Sequence, residues 1–476
     1  MKGKINIKKI SIILTTFYLI VGTLFYFIGG EQLRIGKSNS SLSYQIVDSP
    51  VGEILNNTKI EQDFSVNADI INGISLKVAT YARINKGNLF VNLIDKQSGS
   101  SLFNQVVDVS NLKDNSDFFL NIKDRINGVK GKELALIITS DISDSNNSVT
   151  LYTAKDTNNF PLYINGKLNQ NNLSFSVECG EKLWFGEYYW FIFVAGLLLL
   201  ITYIINLMLK QKNEKQSLSL NIITAFVKYK FLLRQLVERD FKTKYKRSVL
   251  GILWSFFNPL LTMLVQYIVF STVFKSDIPN FPVYLLSGVV VFNFFSEACG
   301  MGLMSIIGNA SLITKVYVPK YIYPISRVFS SVINLLLSLI PLLFVMLITG
   351  TKITFSILLM PFGLICTLLF CIGMAFILSS AMVFFRDTQF LWNVVSLLWM
   401  YATPLFYPET IIPDKFSFIL KINPMYHFIR FIRITILQGV SPEPIAYLYC
   451  IVFSLATLLI GALVFKKTQD KFVLNL

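Results

Sequence analysis

Long stretches of uncharged apolar sequence are the feature that most constrains this chain. A helix that crosses a bilayer needs about 20 consecutive apolar residues. Eight blocks of the 476-residue sequence approach or exceed that length; seven contain no charged residue and one contains only Glu297. The blocks are Ile10–Gly30, Tyr188–Met208, Ser248–Phe274, Ile278–Thr314, Val328–Thr351, Ile353–Phe385, Thr388–Pro408 and Pro444–Phe465. The sequence therefore predicts a polytopic α-helical membrane protein of about eight spans, in which the long uncharged block Ile353–Phe385 tilts, kinks at Pro361 or leaves the membrane at one end.

The overall composition excludes several other classes of protein. Charged residues make up 15% of the chain, against about 25% in soluble domains. Hydrophobic residues make up 53%, which excludes an intrinsically disordered chain. Five cysteines, most of them inside apolar blocks, do not form a disulfide framework. The single histidine, His427, gives no basis for a histidine-ligated metal site, and no metal site is predicted.

The distribution of Lys and Arg predicts the orientation in the membrane. Residues 210–247 hold eleven Lys and Arg against three acidic residues, and further basic residues precede the first block and follow the last. Basic loops stay on the cytoplasmic side. Both termini are therefore predicted in the cytoplasm of a multi-pass cytoplasmic (inner or plasma) membrane protein. Residues 1–30 are read as a cytoplasmic tail and an uncleaved anchor, because the block is long for a signal peptide and no A-x-A-type site follows.

Residues 31–186, between the first two blocks, have a different composition. They are rich in Asn and Ser and contain short alternating apolar runs separated by Asn72-Gly73, Asn127-Gly128 and Asn165-Gly166. Asn-Gly is the dipeptide most typical of two-residue hairpin turns. We expect an extracytoplasmic β-rich domain, folded as a β-sandwich or jelly roll. Its function stays open between contact with a glycan, contact with a partner or second copy, and a spacer without a ligand.

The second span, residues 187–209, leads into a basic linker, residues 210–247. Apolar residues alternate with positive charge from Phe226 to Lys246, which predicts an amphipathic helix lying along the membrane surface. Plain positive-inside flanking charge is the alternative, but it does not account for the embedded Glu238-Arg239-Asp240.

The sequence from Leu236 resembles a known family. One run is similar to the opening signature of ABC-2-type permeases that export polysaccharides and teichoic acids. It reads Leu236-Val-Glu-Arg-Asp-Phe-Lys-Thr-Lys-Tyr-Lys-Arg-Ser-Val-Leu-Gly-Ile-Leu-Trp-Ser-Phe-Phe-Asn-Pro-Leu260. Residues 309–324, Phe385-Arg386-Asp387 and 401–424 are similar to later motifs of that family, in the same order. The resemblance covers about residues 220–476 and implies a six-span ABC-2 permease core at 248–476. Residues 1–209 are outside it.

The resemblance also implies roles for residues of the basic linker and first core span. A gate helix and the span that follows it would be shaped by Arg239, Asp240, Lys242, Tyr245, Gly251 and Trp254. The family works with separate ATP-binding subunits, so the expected partners are two copies of an ABC ATPase and a second copy of this chain. No G-x-x-x-x-G-K-[ST] phosphate loop occurs in the sequence. We therefore expect no cofactor and no enzymatic activity in this chain, with ATP and Mg²⁺ bound by the partner.

A short cytoplasmic helix is predicted near residues 307–320. Asn309 and Ser311 precede apolar residues and Pro319 follows, which is the pattern of a capped helix ended by proline. In the resembled family this element would be the coupling helix that fits a groove in the ATPase. Its candidate contact residues are Asn309, Leu312, Lys315 and Pro319.

The segment near 407–440 is too apolar for a free loop and too rich in proline for a span, so re-entrant half-helices are expected there. Arg430 and Arg433 either contact phosphate or an anionic polymer or snorkel to lipid headgroups. Glu297 either lines a pore or pairs with another helix. Aromatic residues either line a sugar channel or pack in the core. The candidate channel residues beside Glu297 are Phe292, Phe295, Trp399, Tyr401 and Tyr407.

The functional prediction is the permease subunit of an ATP-driven exporter of a lipid-linked polysaccharide: teichoic acid, rhamnan-type glycan, capsule or O-antigen. Membrane lipids are further expected partners, and nucleic acid is not. Two alternatives stay open, namely an ABC-2 exporter of drugs or lipids and a membrane-anchored glycan-binding partner of glycan assembly enzymes.

Overall fold

A computed structural model of the chain describes residues 7–40, 47–155, 160–213, 217–246, 250–270, 278–315 and 318–475. It divides into two compact units. A β unit comprises Glu31–Tyr188, and a helical unit comprises Met1–Gly30 together with Tyr189–Leu476. The polytopic helical architecture with an inserted β-rich domain is thus as predicted.

The described part of the β unit contains thirteen strands. They are β1 (Ile35–Ser40), β2 (Val47–Pro50), β3 (Ile60–Ser65), β4 (Ile70–Ala79), β5 (Asn88–Asp95), β6 (Ser101–Asp108), β7 (Ser116–Asn127), β8 (Glu133–Ser140), β9 (Thr150–Lys155), β10 (Leu162–Ile164), β11 (Lys167–Asn169), β12 (Asn171–Leu173) and β13 (Phe175–Lys182). A short helix, α2 (Trp184–Glu187), follows the last strand.

The strands form two antiparallel sheets. One follows the order β1-β13-β4-β9-β12, with β7 paired to β4 and β2 paired to β9. The other is six-stranded, in the order β11-β10-β3-β8-β5-β6. Alternate side chains point between the sheets and form a core of aliphatic residues around Phe64 and Phe175, whose rings meet edge to face with centroids 5.4 Å apart.

The three Asn-Gly dipeptides adopt different structures. Asn165 and Gly166 both have positive φ and connect β10 to β11, as a two-residue hairpin requires. Asn127-Gly128 ends β7. The turn predicted at Asn72-Gly73 is wrong, because both residues lie within β4 at a register shift. The ring of Phe119 occupies the space above Gly73 where a side chain would stand, so the glycine permits close packing rather than a turn.

The described part of the helical unit contains thirteen α-helices. They are α1 (Ile7–Gly29), α3 (Tyr189–Lys212), α4 (Leu218–Tyr245), α5 (Trp254–Ile268), α6 (Phe281–Leu303), α7 (Ala310–Lys315), α8 (Ile322–Ile348), α9 (Met360–Phe384), α10 (Thr388–Ala402), α11 (Ser417–Ile422), α12 (Pro424–Arg433), α13 (Pro444–Thr468) and α14 (Phe472–Asn475).

Seven helical segments in the described ranges are long and apolar enough to cross a membrane. The remaining predicted block, Thr388–Pro408, forms α10, which has 15 residues and a length of about 22 Å at 1.5 Å per residue. It is therefore shorter than the hydrocarbon core of about 30 Å. Of the three alternatives for the block Ile353–Phe385, a kink at Pro361 is not observed, because α9 begins at Met360 and places the proline in its first turn, where no backbone hydrogen bond is lost.

Close backbone contact holds the core helices together. Gly373 on α9 lies against the backbone of Thr457 on α13, and a Cβ added at Gly461 would stand 2.2 Å from the Gly373 carbonyl oxygen. Small residues allow helices in membranes to approach in this way. The accessory helices α1 and α3 pack on each other, with the rings of Tyr18 and Phe193 stacked at 5.1 Å.

Two ends of the helical unit carry the candidate sites. We call the end formed by α4, α7, the last turns of α6 and the first turns of α8 the basic end. We call the end formed by α11, α12 and the first turns of α6, α9 and α13 the re-entrant end, after the half-helices predicted near residues 407–440. A small apolar cluster that includes Leu236, Tyr323 and Phe472 packs at the basic end.

Candidate functional site

A buried carboxylate organises the basic end. Asp240 on α4 accepts hydrogen bonds at Oδ1 from Nε and Nη2 of its neighbour Arg239, at 3.2 and 3.0 Å. Its other oxygen, Oδ2, lies 3.1 Å from Nη1 of Arg327 on α8. Ser330, one turn further along α8, donates to the same oxygen at 3.5 Å. A carboxylate withdrawn from water in this way needs such partners to remain charged.

Arg239 also connects α4 to the segment before α7. Its Nη2 donates to Oδ1 of Asn309 at 3.2 Å. The Asn309 amide nitrogen donates in turn to the Ser305 carbonyl at 2.8 Å, and the residue is buried. The predicted capping role of Asn309 is not observed, because its side chain bonds to Arg239 and Ser305 instead of to the first amides of α7.

A second ion pair lies beside the first. Lys244 on α4 approaches Oε1 of Glu297 on α6 at 2.7 Å, and Nδ2 of Asn334 on α8 donates to the same oxygen at 2.6 Å. Glu297 thus contacts two other helices, α4 and α8, and a pore-lining role for it stays a prediction. The residue lies on the last third of α6, at the basic end.

The two ion pairs line one polar cavity of about 480 Å³. Three cationic and two anionic side chains face it, namely Arg239, Lys244, Arg327, Asp240 and Glu297. The residues contributed by α8 were missed by the sequence reasoning. Arg327, Ser330 and Asn334 recur at intervals of three and four residues at the start of an otherwise apolar block, and that spacing marks one polar helix face.

The other residues predicted for the gate helix have separate surroundings. Lys242 pairs with Glu238 one turn earlier, at 2.7 Å, and this hydrogen bond lowers the pKa of the Glu238 carboxyl. Gly251 has a φ of +50°, a conformation that glycine adopts without strain. Trp254 begins α5 and is exposed. The side chain of Tyr245 lies outside the described residues.

The helix α7 is presented on the surface of the basic end. Leu312 and Lys315 are exposed, whereas Pro319 is half-buried and precedes α8 by a few residues. The helix has six residues, as short as the sequence predicts, and it follows directly on Asn309.

At the re-entrant end the two candidate anion contacts have different environments. Arg433 is 7% exposed. Its guanidinium donates to the carbonyls of Pro404 at 2.7 Å, Leu405 at 3.0 Å and Tyr284 at 3.1 Å, and lies 3.5 Å above the Tyr284 ring. Its donors are thus used inside the protein, and it is not placed to bind an external anion. Arg430 keeps 53% of its side chain exposed and lies 3.7 Å from Glu409.

A polar side chain caps the N-terminus of α12. Asn423 accepts from the backbone amides of Met425 and Tyr426, and Trp399 Nε1 donates to it at 2.8 Å. These contacts cap α12 where it begins beside α10, and re-entry of this segment into the membrane stays a prediction.

The predicted aromatic channel is not assembled within one chain. Phe292 and Phe295 are buried in the helix core, where Phe295 contacts Trp399 at 5.1 Å between ring centroids. Packing, the alternative left open above, accounts for both phenylalanines. Tyr407 donates to the Tyr401 carbonyl at 2.6 Å. Tyr401 is exposed on α10, on the outside of the helical unit.

Comparison with known proteins identifies similar chains. Residues 232–437 match the ABC-2 type transporter family. The O-antigen export system permease protein RfbA of Myxococcus xanthus is 31% identical over 255 residues, which are 53% of this chain and 98% of the relative. The protein of the same name from Klebsiella pneumoniae is 32% identical over 243 residues, or 51% of this chain and 93% of the relative. The polysialic acid transport protein KpsM of Escherichia coli is 23% identical over 252 residues, or 52% of this chain and 97% of the relative.

Proposed function

The chain belongs to the ABC-2 type transporter family, and from this premise we propose that it is the membrane subunit of an ATP-driven polysaccharide exporter. The cargo is a lipid-linked cell-wall or surface polysaccharide of the teichoic acid, rhamnan, capsule or O-antigen type. The similarity to export permeases for O-antigen and polysialic acid supports this cargo class, because it extends over nearly the whole of those relatives.

We place the basic end in the cytoplasm. The excess of Lys and Arg in residues 210–247 supports this orientation. Both termini then lie in the cytoplasm and the β unit lies outside. The amphipathic α4 lies along the inner membrane surface, where exposed Phe226 and Phe231 reach the acyl region and the lysines between them reach lipid headgroups.

Energy comes from a separate ATP-binding subunit that docks on α7. The sequence has no phosphate loop of its own. Leu312 and Lys315 on α7 are the residues we assign to the docking contact, because both are exposed on a short helix of the basic end. Two copies of the ATPase would serve two copies of this chain, and the cargo would pass between the two copies.

The polar contacts of the basic end supply a route from the ATPase to the spans. A displacement of α7 pulls on Asn309, which is hydrogen-bonded to Arg239 on α4. Arg239 shares Asp240 with Arg327 of α8. Charged hydrogen bonds are stronger than neutral ones and resist separation in a buried site. The motion is therefore passed to α4 and α8 together, and this linkage is the observation that carries the proposed mechanism.

The Leu312→Asp substitution, introduced into the chromosomal copy of the gene, tests the proposal. We expect the ATPase to stop co-purifying with the tagged chain and lipid-linked polymer to accumulate inside the cell, because a carboxylate replaces the apolar contact. Ile84→Asp is the matched control, since Ile84 is an exposed aliphatic residue of the β unit. Normal co-purification and export by the Leu312→Asp chain would refute the docking assignment. An absent ATPase in the wild-type complex would refute the exporter function itself.

A further inference from the structure

A strip of side chains crosses all six strands of the six-stranded sheet, on the face turned away from the sandwich core. Consecutive members are direct cross-strand partners in the strand register. They are Leu168, Tyr163, Glu61, Ile137, Asn92 and Asn104. At a strand spacing of about 4.8 Å the strip is roughly 24 Å long. We call it the outer strip.

A shorter row runs beside these six residues, and we include it in the outer strip. Phe90 on β5 is paired with Val106 on β6 and with Thr139 on β8. Phe90 is 37% exposed, Val106 is 55% exposed and Leu168, at the far end of the strip, is 69% exposed. The solvent face of an antiparallel sheet normally carries polar residues. Apolar and aromatic groups on this face therefore need another explanation.

The polar groups of the same face are amides and a hydroxyl together with two ion pairs, Lys59–Glu61 and Lys96–Asp63, and the second pair is 2.6 Å apart. Asn92, Asn104 and Thr139 supply amides and a hydroxyl between the apolar positions. Ser101 Oγ donates to Oδ1 of Asn92 at 2.6 Å, which orients that amide and leaves its nitrogen as the remaining donor. The one charged member of the strip, Glu61, is paired with Lys59 at 2.9 Å. The surface thus combines ring faces with hydrogen-bonding groups and has little net charge.

We propose that the outer strip binds a stretch of neutral polysaccharide. Sugar rings have an apolar C–H face that stacks on Phe90 and Tyr163, and their hydroxyls hydrogen-bond to amides such as Asn92 and Asn104. A polymer is favoured over a single sugar because the contacts are spread along the whole strip. The inference rests on the proposed function, since the exported chain is the polymer that would meet this face outside the membrane.

The opposite sheet supplies a control position. Its outer face carries an ion pair between Lys77 and Asp117, and Glu178 lies on the adjacent strand. The exposed Phe119 covers Gly73 on the same sheet, so its ring has a packing role. Phe119→Ala is consequently a matched control, because it removes an exposed phenylalanine from a strand of the same unit without touching the outer strip.

The test uses the full chain, purified in detergent without any ATPase. The probe is labelled polysaccharide released by mild acid from the envelope of cells that produce the chain, and the readout is its Kd. We expect Phe90→Ala to weaken binding about two- to tenfold, as for the loss of one aromatic contact. Phe90→Ala with Tyr163→Ala should weaken it further. Val106→Asp, at an exposed position, provides a second variant that places a charge in the strip without emptying the core.

The salt dependence of the Kd and the control variants complete the test of the inference. Because the strip has little net charge, the Kd should change less than about twofold between 0.05 and 0.5 M NaCl, where exposed charges are screened. Phe119→Ala should bind like the wild type. No binding by the wild-type chain, an equal loss in Phe119→Ala, or a steep salt dependence would each overturn the inference. So would a change of oligomeric state in the strip variants, which would identify the face as a contact between copies.

The binding assay is independent of transport. One outcome is that cells with the Leu312→Asp chain accumulate polymer inside while the purified wild-type chain fails to bind the probe. In that case the inference is wrong and the exporter function stands. If the chain binds the probe but its deletion leaves polymer export intact, the exporter function fails and the outer strip remains a glycan site.

Discussion

Arg239 on α4 donates a hydrogen bond of 3.2 Å to the side chain of Asn309, seventy residues further along the chain. This contact joins the amphipathic helix to the segment that carries α7, and Asp240 extends the connection to Arg327 on α8. Three elements separated in sequence are thereby held at one point. Under the proposed mechanism, a displacement of α7 would reach α4 and α8 through these hydrogen bonds, each of which involves a charged side chain.

Asn309→Ala is expected to separate docking from transport. The change removes the acceptor for Arg239 and the donor to Ser305, while Leu312 and Lys315 remain exposed for the ATPase. We expect the ATPase to co-purify normally and polymer export to fall severalfold. The measurement is surface polysaccharide per cell together with ATPase recovery. Loss of ATPase recovery would show that Asn309 supports α7 itself rather than the linkage to α4.

Asp240→Ala should destabilise the helical unit. Breaking a buried ion pair by removing one partner costs about 3–5 kcal/mol, and the lower end applies because Arg239 reaches solvent. The expected result is a lower melting temperature of the detergent-purified chain. Glu238→Ala is the control on the same helix, where the pair with Lys242 is exposed and little change is expected. Adding Arg327→Met to Asp240→Ala should recover part of the loss, since it removes one of the unpaired cations.

Arg433→Lys should lower the melting temperature although it keeps the charge. A lysine has no planar fork with which to reach the carbonyls of Pro404, Leu405 and Tyr284 at once. Arg430→Lys is the control, because the Arg430 side chain is exposed and holds Glu409 only at 3.7 Å. Equal melting temperatures for the two variants would contradict a structural role for Arg433.

Gly288→Ala tests the same contact from the opposite side. A Cβ at position 288 would stand 2.6 Å from Nη2 of Arg433, so the guanidinium would have to shift away from its carbonyl partners. We expect a lower melting temperature and faster proteolysis near α12. Gly300→Ala on the same helix has open space around the added methyl group, and it should be neutral or slightly stabilising.

Acid should destabilise the β unit, because several aspartates are held in their charged form. A side-chain hydrogen bond from Lys132 lowers the pKa of Asp95, and a backbone amide of Asn88 lowers that of Asp141. A carboxyl whose pKa is lower in the folded state stabilises the fold at pH values above its unfolded pKa of about 4. This stabilisation is lost as the pH falls through the pKa of the folded state. The expected thermal midpoint of residues 31–188 is flat above pH 5 and falls below pH 4. Asp95→Asn should flatten that fall, and an unchanged acid profile would contradict the assignment.

Much of the architecture is legible in the sequence because it depends on local composition. Apolar blocks of bilayer length predict the spans whatever surrounds them, and the Asn165-Gly166 turn forms because two residues with positive φ suffice for a hairpin. The family resemblance from residue 236 onward depends on motif order and is borne out by the match over residues 232–437. The amphipathic pattern of α4 likewise predicts a helix without tertiary information.

The partners of individual polar side chains were decided only by the tertiary structure. Arg430 and Arg433 are three residues apart, slightly less than one helix turn. The side chain of Arg430 is exposed to solvent, whereas Arg433 donates to three carbonyls from distant segments. Asn72-Gly73 has the composition of a turn, but the Phe119 ring and the neighbouring strands hold it within β4. Local patterns specify what a segment can form. Which charge a buried group meets depends on elements far away in the chain, and no local pattern contains that information.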